Sequence, residues 1–318
     1  MSFWESLDST RPVLVIGTSG LDLIAAPQEP LQVGDRVPAR IRTAFGGVAR
    51  NVAENLARLE HEVRFITAVG QDPEGHYLLE HLANLGVDVS LSRVVDEHPT
   101  GTYIGLLRPE GGLHYGVHDM RVIDALTPDY LKAHEDAFAQ ADVLFIDANL
   151  SPATLRTIFR LARRHRLPVA ADATSTTLAP RLLPYLDQIG LLTQNHLEAS
   201  ALLGQTIPQD DFAAALRAAQ ALVARGVDLA LVTLAEFGVC YATPYLSGHI
   251  PAVRTEVRDP TGAGDALTAT VLFALREGLP PDEAVRLGTA AAALTLREPG
   301  TVVPDLSLER LYAALGAP

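Results

Sequence analysis

Short apolar runs rich in β-branched residues alternate with helical patterns along most of this chain, and this alternation limits the possible fold more than any other feature. The apolar runs that predict buried strands are 13–16, 63–69, 143–146, 169–171, 191–192 and 229–232. Apolar residues at three- and four-residue spacing predict helices over 48–59, 75–85, 151–165, 195–204, 209–225, 263–277 and 281–296, and from 306 onward. Such alternation predicts an α/β fold, in which helices cover both faces of a mostly parallel central sheet.

Two early stretches, 31–45 and 89–118, interrupt this pattern. In the second stretch, residues 102–107 and 113–117 alternate in polarity around Glu110-Gly111-Gly112, which predicts two antiparallel strands with a glycine turn. The two stretches together predict a small β-sheet that projects from a single domain of 318 residues. We interpret this sheet as a lid over an active site, because long insertions often carry function. The alternative is an edge extension without a role.

Charge and cysteine content limit the classes of partner. The formal net charge of −13 disfavours binding to nucleic acid or to an anionic membrane, because such binding depends on clustered lysine and arginine. Cys240 is the only cysteine, which excludes an intrachain disulfide and a thiolate zinc cluster and fits a reducing cytoplasm. We therefore expect a cytoplasmic protein that acts on a small molecule.

Lys132 is the only lysine of the chain, and a Walker A loop requires a lysine beside its second glycine. The sequence contains no such loop. Any phosphate site must therefore be built mainly from backbone amides.

The segment Asp259 to Ala266, D-P-T-G-A-G-D-A, is the strongest candidate for such a site. Gly262 and Gly264 flank Ala263 at the predicted start of a helix, where unpaired N–H groups and the helix dipole favour an anion. Asp265 falls in the same first turn, where it could accept the proton of an attacking hydroxyl group. Alternatively, Asp265 only caps the helix, since aspartate is favoured in first turns.

Three further motifs predict ligand contacts, each with a simpler alternative. Gly46 and Gly47 open a predicted helix and place Asn51 one turn inside it, where backbone amides can meet a polar ligand. Asp22 follows the first predicted strand, at the edge where open α/β sheets bind ligands, although a loop aspartate can simply be solvated. Asn195 and Glu198 share one helix face and could organise hydrated Mg²⁺ near a triphosphate, or merely cap their helix.

Together these motifs resemble the ribokinase (PfkB-type) family of carbohydrate and nucleoside kinases over nearly the whole chain. The similar segments are GGVARNVAENLARL at 46–59, TGAGDA at 261–266, N-x-x-E at 195–198, G-Q-D-P-E-G at 70–75 and V-T-L-A-E-F-G at 232–238. This resemblance implies a ribokinase-like fold, an ATP-dependent kinase activity, and a requirement for Mg²⁺ and K⁺.

The resemblance also implies roles for individual residues. Asp265 would be the catalytic base, and Gly262, Ala263 and Gly264 would form the anion hole. The substrate hydroxyls would be held by Asp22, Gly46, Gly47 and Asn51. Asn195, Glu198, Thr233 and Gly238 would bind ATP, with Glu198 reaching Mg²⁺ through water and Asp259 serving a monovalent cation. Ala235 stands where many members have a glycine near the nucleotide phosphates.

Within the family, the chain is most similar to the pseudouridine kinases, on the helix motif at 46–59, on His118-Asp119-Met120 and on Asp147-Ala148-Asn149-Leu150-Ser151. The resemblance implies transfer of the ATP γ-phosphoryl group to the 5′-hydroxyl of a ribosyl nucleoside, with pseudouridine as the first candidate, by a homodimer formed through the lid. Asn149 would contact the substrate. Asp119 would accept a hydrogen bond from the base, unless it only caps a turn.

Three other functions are weighed against this one. The first is a kinase of the same family with another sugar or nucleoside acceptor. The second is an oxidoreductase that uses G-A-G-D-A-L as a dinucleotide-binding turn, which the late position of this motif and its missing third glycine disfavour. The third is a ligand sensor without catalytic activity, which the retained Asp265 disfavours.

Overall fold

The structure is a computed structural model that describes residues 3–7, 9–34, 36–108 and 113–316. Its strands are β1 (Val13–Ile16), β2 (Gly20–Pro27), β3 (Ala39–Gly46), β4 (Val63–Ile66), β5 (Ala68–Gly70), β6 (Arg93–Val95), β7 (Thr102–Leu107), β8 (Leu113–Asp119), β9 (Val143–Asp147), β10 (Val169–Asp172), β11 (Leu191–Asn195), β12 (Leu229–Thr233), β13 (Val239–Ala242) and β14 (Ser247–Ile250). Its α-helices are α1 (Val48–Arg58), α2 (Pro73–Asn84), α3 (Pro128–Ala133), α4 (Glu135–Gln140), α5 (Pro152–His165), α6 (His196–Leu203), α7 (Phe212–Val223), α8 (Ala263–Arg276), α9 (Pro281–Leu296) and α10 (Leu308–Gly316). Short 3-10 helices cover Phe3–Ser6, Arg121–Ala125, Ala179–Gln188 and Ala235–Phe237.

The main sheet confirms the predicted α/β architecture. Its eight strands follow the order β14-β13-β12-β11-β10-β9-β1-β4, and all neighbours are parallel except for the antiparallel pairs β12–β13 and β13–β14 at one edge. Successive residues of β1 enter opposite hydrophobic cores, because side chains alternate across a strand: Leu14 and Ile16 in one, Val13 and Val15 in the other. A strand that is buried on both faces explains why the sequence shows continuous apolar runs.

The predicted strand at 63–69 divides into β4 and β5. Only β4 belongs to the main sheet, whereas β5 pairs with β6 in a separate two-stranded sheet. Among the described residues, no helix is long and apolar enough to cross a bilayer.

The lid is a four-stranded sheet with the order β3-β2-β7-β8. Strands β7 and β8 lie where the alternation predicted them, but the turn expected at Glu110-Gly111-Gly112 lies outside the described residues. The prediction for 31–45 needs correction, because β3 begins only at Ala39 and the lid gains a second strand, β2, that the sequence analysis did not identify. The segment G-L-D-L-I-A-A-P of β2 has too few polar residues for a clear alternation.

At most α-helix N-termini, the side chain of the N-cap residue accepts a hydrogen bond from a first-turn N–H group. Asp72 caps α2 by accepting a hydrogen bond from Gly75 N, and Ser151 caps α5 by accepting one from Thr154 N. Helices α1 and α8 instead begin at glycines without a side-chain cap. In α1 the first-turn amide of Arg50 donates to the carbonyl oxygen of Thr18 at 3.0 Å, whereas no side chain closes the first turn of α8.

Candidate active site

The start of α8 is where the sequence predicts an anion hole, and its geometry leaves room for one. Its N-cap, Gly262, has φ 82°, and a Cβ atom there would lie 2.1 Å from the carbonyl oxygen of Thr301, so only glycine fits. Gly264 is exposed, and a Cβ atom there would meet nothing within 4 Å apart from its chain neighbours and the backbone of its own helix. The first turn of α8 thus borders open space that an anionic group can enter, close to its backbone amides.

Asp265 lies in the same first turn and is half-buried. Its Oδ2 accepts a hydrogen bond from Asn51 Nδ2 at 2.6 Å, and no side chain caps α8. Burial raises the pKa of Asp265 to about 7, although the hydrogen bond from Asn51 and the charge of Arg50 act in the opposite direction. The contact places Asp265 beside Asn51, another predicted site residue, and a pKa near 7 suits a general base.

The start of α1 is shaped around Asp22. A Cβ atom on Gly46 would lie 2.2–2.4 Å from the carboxyl atoms of Asp22, and one on Gly47, at φ 98°, would lie 2.6 Å from Thr18 O and Ser19 Cα. Both glycines therefore allow the backbone to approach Asp22 and the loop after β1.

Asp22 itself lies in strand β2 of the lid, where it pairs with Ala44 and Tyr103. The prediction of a loop position after β1 is therefore wrong, because Asp22 lies within a strand. Burial raises its pKa to about 6, while Arg50 and Arg42 oppose the shift. The lid thus supplies an acidic group next to the residues that open α1.

Asn149 is held in place by Asp147, the last residue of β9. Asp147 Oδ1 accepts hydrogen bonds from the backbone N and the side-chain Nδ2 of Asn149, at 3.0 and 3.1 Å. Its Oδ2 accepts two from Thr18, from N and Oγ1, both at 2.7 Å. Asp147 therefore ties the end of β9 to the loop after β1, a structural role that the sequence analysis did not assign.

Asn195 and Glu198 form a complete capping box at the start of α6. Glu198 Oε2 accepts from Asn195 N and Oε1 from Asn195 Nδ2, both at 2.8 Å, while Asn195 Oδ1 accepts from Leu197 N and Glu198 N. Burial raises the pKa of Glu198 even though the Asn195 bonds lower it. The capping alternative is confirmed, and it leaves a buried carboxylate with both oxygens engaged.

Asp172 is a candidate residue that sequence reasoning missed. It ends β10, beside Asp147 and Thr193 in the parallel register. Burial raises its pKa well above the ordinary value, and the negative charges of Glu198 and Asp265 add to this shift. The available signal was an aspartate directly after the apolar run 169–171, at the carboxyl edge of the sheet.

The predicted nucleotide contacts follow β12. Thr233 ends this strand and pairs in register with Asn195, so both lie at the same sheet edge. The chain then turns through Ala235, at φ 49°, and Gly238, at φ 95°, where a Cβ atom would lie 2.1 Å from Ile250 O. The left-handed conformation of Ala235 explains in physical terms why glycine suits that position.

Asp119 is separated from the other predicted substrate residues. It pairs with Thr102, so strand alternation places it on the lid face opposite Asp22. Its carboxylate accepts hydrogen bonds from the backbone N and the guanidinium of Arg121, and its side chain is 42% exposed. The structure therefore shows the turn-capping contact, and the expected contact with a base needs correction.

Tyr103 and His118 face the site in place of Asp119. They pair across β7 and β8 in register with Asp22. The Tyr103 ring lies over the opposed glycines Gly105 and Gly116, where a Cβ atom would approach the ring or hydroxyl to 3.2 and 2.7 Å. Two glycines thus make room for a flat aromatic side chain beside Asp22.

The final predicted residue, Asp259, is buried just before the anion hole. Its Oδ1 accepts a hydrogen bond from Thr261 N at 3.0 Å, and its Oδ2 forms an ion pair with Arg42 from the lid. The site therefore joins both glycine-opened helices, the acidic strand ends and the lid.

Comparison with known families decides what kind of enzyme carries this arrangement. The family model described as pfkB family carbohydrate kinase matches residues 10–307. The chain belongs to the pfkB family of carbohydrate kinases. It is therefore an ATP-dependent phosphotransferase.

Individual pfkB relatives align over almost the whole chain. Pseudouridine kinase from Escherichia coli (strain K12) is 31% identical over 95% of both chains. Guanosine-inosine kinase from Exiguobacterium acetylicum is 29% identical over 88% of this chain and 93% of its own. The ribokinase of Arabidopsis thaliana, solved with ribose and ATP, matches 97% of this chain and 99% of its own with a TM-score of 0.83 at 23% identity. A putative ribokinase II from E. coli, solved with ATP and Mg²⁺, gives a TM-score of 0.82 at 18% identity, covering 96% of this chain and 99% of its own.

Proposed function

We propose that this pfkB kinase transfers the γ-phosphoryl group of ATP to the 5′-hydroxyl of a ribosyl nucleoside, with pseudouridine as the preferred acceptor. The observation that carries the proposal is the placement of Asp265 between Asn51 and the open start of α8. A proton acceptor beside an anion hole is what phosphoryl transfer to a hydroxyl group needs.

The residues of the chain account for the transfer itself. Asp265 accepts the proton of the acceptor hydroxyl as that oxygen forms a bond to the γ-phosphorus, while the bond from this phosphorus to the β–γ bridging oxygen breaks and ADP departs. The amides around Ala263 and Gly264 stabilise the charge of the transferring group, which is the role of an anion hole. Asp22 and Asn51 orient the acceptor sugar.

The acidic strand ends fit a divalent cation. Glu198 is buried and Asp172 is half-buried, and the negative charge of Glu198 disfavours that of Asp172, so a nearby cation would stabilise the carboxylates. Because both oxygens of Glu198 are engaged by Asn195, we propose that Glu198 reaches Mg²⁺ through water, as Mg²⁺ commonly retains water ligands. Bound Mg²⁺ would neutralise charge on the phosphates of ATP.

The lid supports a nucleoside over a free sugar. Tyr103 presents an aromatic ring on the face that carries Asp22, and a nucleobase can stack on such a ring whereas ribose has no base to stack. The similarity to a pseudouridine kinase and to a guanosine-inosine kinase favours the same class of acceptor.

We also propose a homodimer formed through the lid. The lid face opposite Asp22 exposes apolar side chains, among them Ile41 at 70%, Val117 at 60% and Ile104 at 44%. Such a contiguous apolar face usually marks a contact surface. Light scattering should give twice the monomer mass, and Ile41→Glu should give the monomer; a monomeric wild type would contradict the proposal. The cytoplasmic location stays a prediction.

An acceptor panel tests the proposed reaction. With ATP and Mg²⁺, pseudouridine, uridine, guanosine, ribose and a hexose are compared by kcat/KM, and the position of the new phosphate is assigned by phosphorus NMR. We expect pseudouridine to be the best acceptor and to be phosphorylated on its 5′-oxygen. A higher kcat/KM for ribose or for the hexose would overturn the nucleoside assignment but leave the kinase assignment intact.

A further inference from the structure

Arg42 connects the lid to both segments that surround the anion hole. It lies on β3, on the same face as Ile24 and Asp22. Its Nη2 forms an ion pair with Asp259, and its Nη1 donates a hydrogen bond to the carbonyl oxygen of Pro299 at 3.1 Å. Asp259 precedes the anion hole, and Pro299 lies between α9 and Thr301, whose carbonyl oxygen faces Gly262.

A monovalent cation at Asp259 would use the same partners. A hard cation in a protein is held by carboxylate and backbone carbonyl oxygens, here the Asp259 carboxylate and the Pro299 carbonyl. Arg42 already places its positive charge between these two groups, and the Asp259 side chain is only 2% exposed. A second cation would have to displace the guanidinium and would then meet the charge that it had displaced.

We propose that the guanidinium of Arg42 replaces K⁺ in this kinase, so that its activity does not depend on a monovalent cation. Arg42 neutralises the charge of Asp259 through their ion pair. Asp259 in turn accepts a hydrogen bond from Thr261 N, directly before Gly262, so Arg42 fixes the backbone at this point through Asp259. It acts as a positioning residue for the anion hole, since it touches the loop and not the transferring group. The expected K⁺ requirement at Asp259 is thereby replaced by a built-in cation.

The position of Arg42 also connects lid and anion hole. Thr301 donates a hydrogen bond to Phe45 O at 2.7 Å, and Arg50 donates to both Phe45 O and Thr301 Oγ1. The end of β3 is thus fixed at two points to the segment that faces Gly262. If the lid moved, Arg42 would move with it and leave Asp259 without a positive partner. A bound K⁺ ion would instead stay at Asp259.

The test compares K⁺ with tetramethylammonium, each at about 100 mM so that ionic screening is equal. Wild type, Arg42→Ala and Arg42→Gln are assayed for kcat/KM and, without any substrate, for Tm. Arg40→Ala is the matched control, because Arg40 lies two residues away on the same strand and is exposed.

We expect wild type and Arg40→Ala to show the same kcat/KM and the same Tm in both salts. Both Arg42 variants should lose about tenfold or more in kcat/KM, in line with a disturbed anion hole, and should regain part of it in K⁺. Their Tm should rise in K⁺ only, because the vacated site at Asp259 can then take the ion.

A wild type that needs K⁺, or whose Tm rises specifically in K⁺, would overturn the proposal. So would Arg42 variants that K⁺ neither activates nor stabilises, because Arg42 would then be an ordinary structural residue. The inference rests on the proposed function only for the activity assay. If no nucleoside is phosphorylated, the proposed function fails while the thermal comparison still decides the role of Arg42.

Discussion

The main sheet and the lid sheet have opposite relations to solvent. The main sheet is buried on both faces, and its acidic and amide residues appear only where the strands end, as at Asp147, Asp172 and Asn195. The lid carries its functional side chains in mid-strand, on one face, and exposes apolar residues on the other. Side chains at the strand ends are held in position by the packed core of the main sheet. The positions of side chains on a lid face depend on the strand register within the lid and on how the lid lies against the main domain.

This difference suggests that the main domain and the lid serve different functions. On the proposed function, proton transfer and phosphate binding lie on α1, α8 and the main-sheet edge. The same proposal assigns the choice of acceptor to the lid, where Tyr103 pairs with Asp22. Variants of the two regions should therefore fail in different ways.

Asp265→Asn should have the largest effect. It keeps the shape of the side chain but removes the proton acceptor, so we expect kcat to fall by about 10² to 10⁴ while ATP binding persists. Steady-state kinetics and calorimetric ATP titration measure both properties. Asp129→Asn, at an exposed residue paired with Lys132, is the control. Less than about a threefold loss of kcat would reject Asp265 as the base.

The two glycines of the anion hole should separate catalysis from folding. Gly264→Val adds a side chain that would meet nothing within 4 Å outside its own helix and chain neighbours, so the variant should unfold cooperatively yet lose about 10² in kcat or more. Gly262→Val combines φ 82° with a 2.1 Å approach to Thr301 O and should lower Tm markedly. Calorimetry and steady-state kinetics on the same samples separate the effects on folding and on catalysis. If Gly264→Val does not fold, the role of Gly264 is structural and not catalytic.

Tyr103→Leu should impair nucleosides selectively. Loss of a stacking partner worth roughly 1–3 kcal/mol should lower kcat/KM for pseudouridine about tenfold and leave ribose nearly unchanged. Tyr245→Leu is the matched control, since Tyr245 is 92% exposed and belongs to the turn between β13 and β14, not to the lid. An equal loss for both acceptors would mean that Tyr103 only supports the lid.

The pH profile should show the smallest but most specific effect. Burial raises the pKa of Asp265 to about 7 and only the deprotonated form can act as base, so kcat/KM should rise with pH through about 7 and then level off. Asn51 lowers that pKa by donating to the carboxylate, so Asn51→Leu should shift the acid limb to higher pH. Asn84→Leu, on the exposed surface of α2, should leave the profile unchanged. A wild-type profile flat between about pH 5 and 8 would contradict the assignment.

The sequence predicted the main sheet and the helix starts at the candidate site well, because both depend on local signals. Buried strands appear in the sequence as apolar runs, and helices that begin at glycines appear as motifs. These signals identify Asp265, Asn51 and the start of α8 without knowledge of the contact between Asn51 and Asp265. The carboxyl edge of a parallel sheet then brings such residues together regardless of loop details.

The lid was predicted less well, because its pairing is long-range. Which face Asp119 occupies depends on the register of β8 against β7 and β2, and a shift of one residue exchanges the faces. The adjacent His118 faces the site for that reason. Likewise, no local pattern could join Arg42 to Asp259, more than 200 residues away in the chain.

If the main domain performs phosphoryl transfer and the lid selects the acceptor, variants of the two regions should change kcat/KM in different ways. The decisive measurement is kcat/KM for pseudouridine and for ribose in wild type, Asp265→Asn and Tyr103→Leu. We expect Asp265→Asn to lower both values by the same factor, whereas Tyr103→Leu should lower only the value for pseudouridine. Acceptor preference that is unchanged in Tyr103→Leu, or altered in Asp265→Asn, would contradict this division.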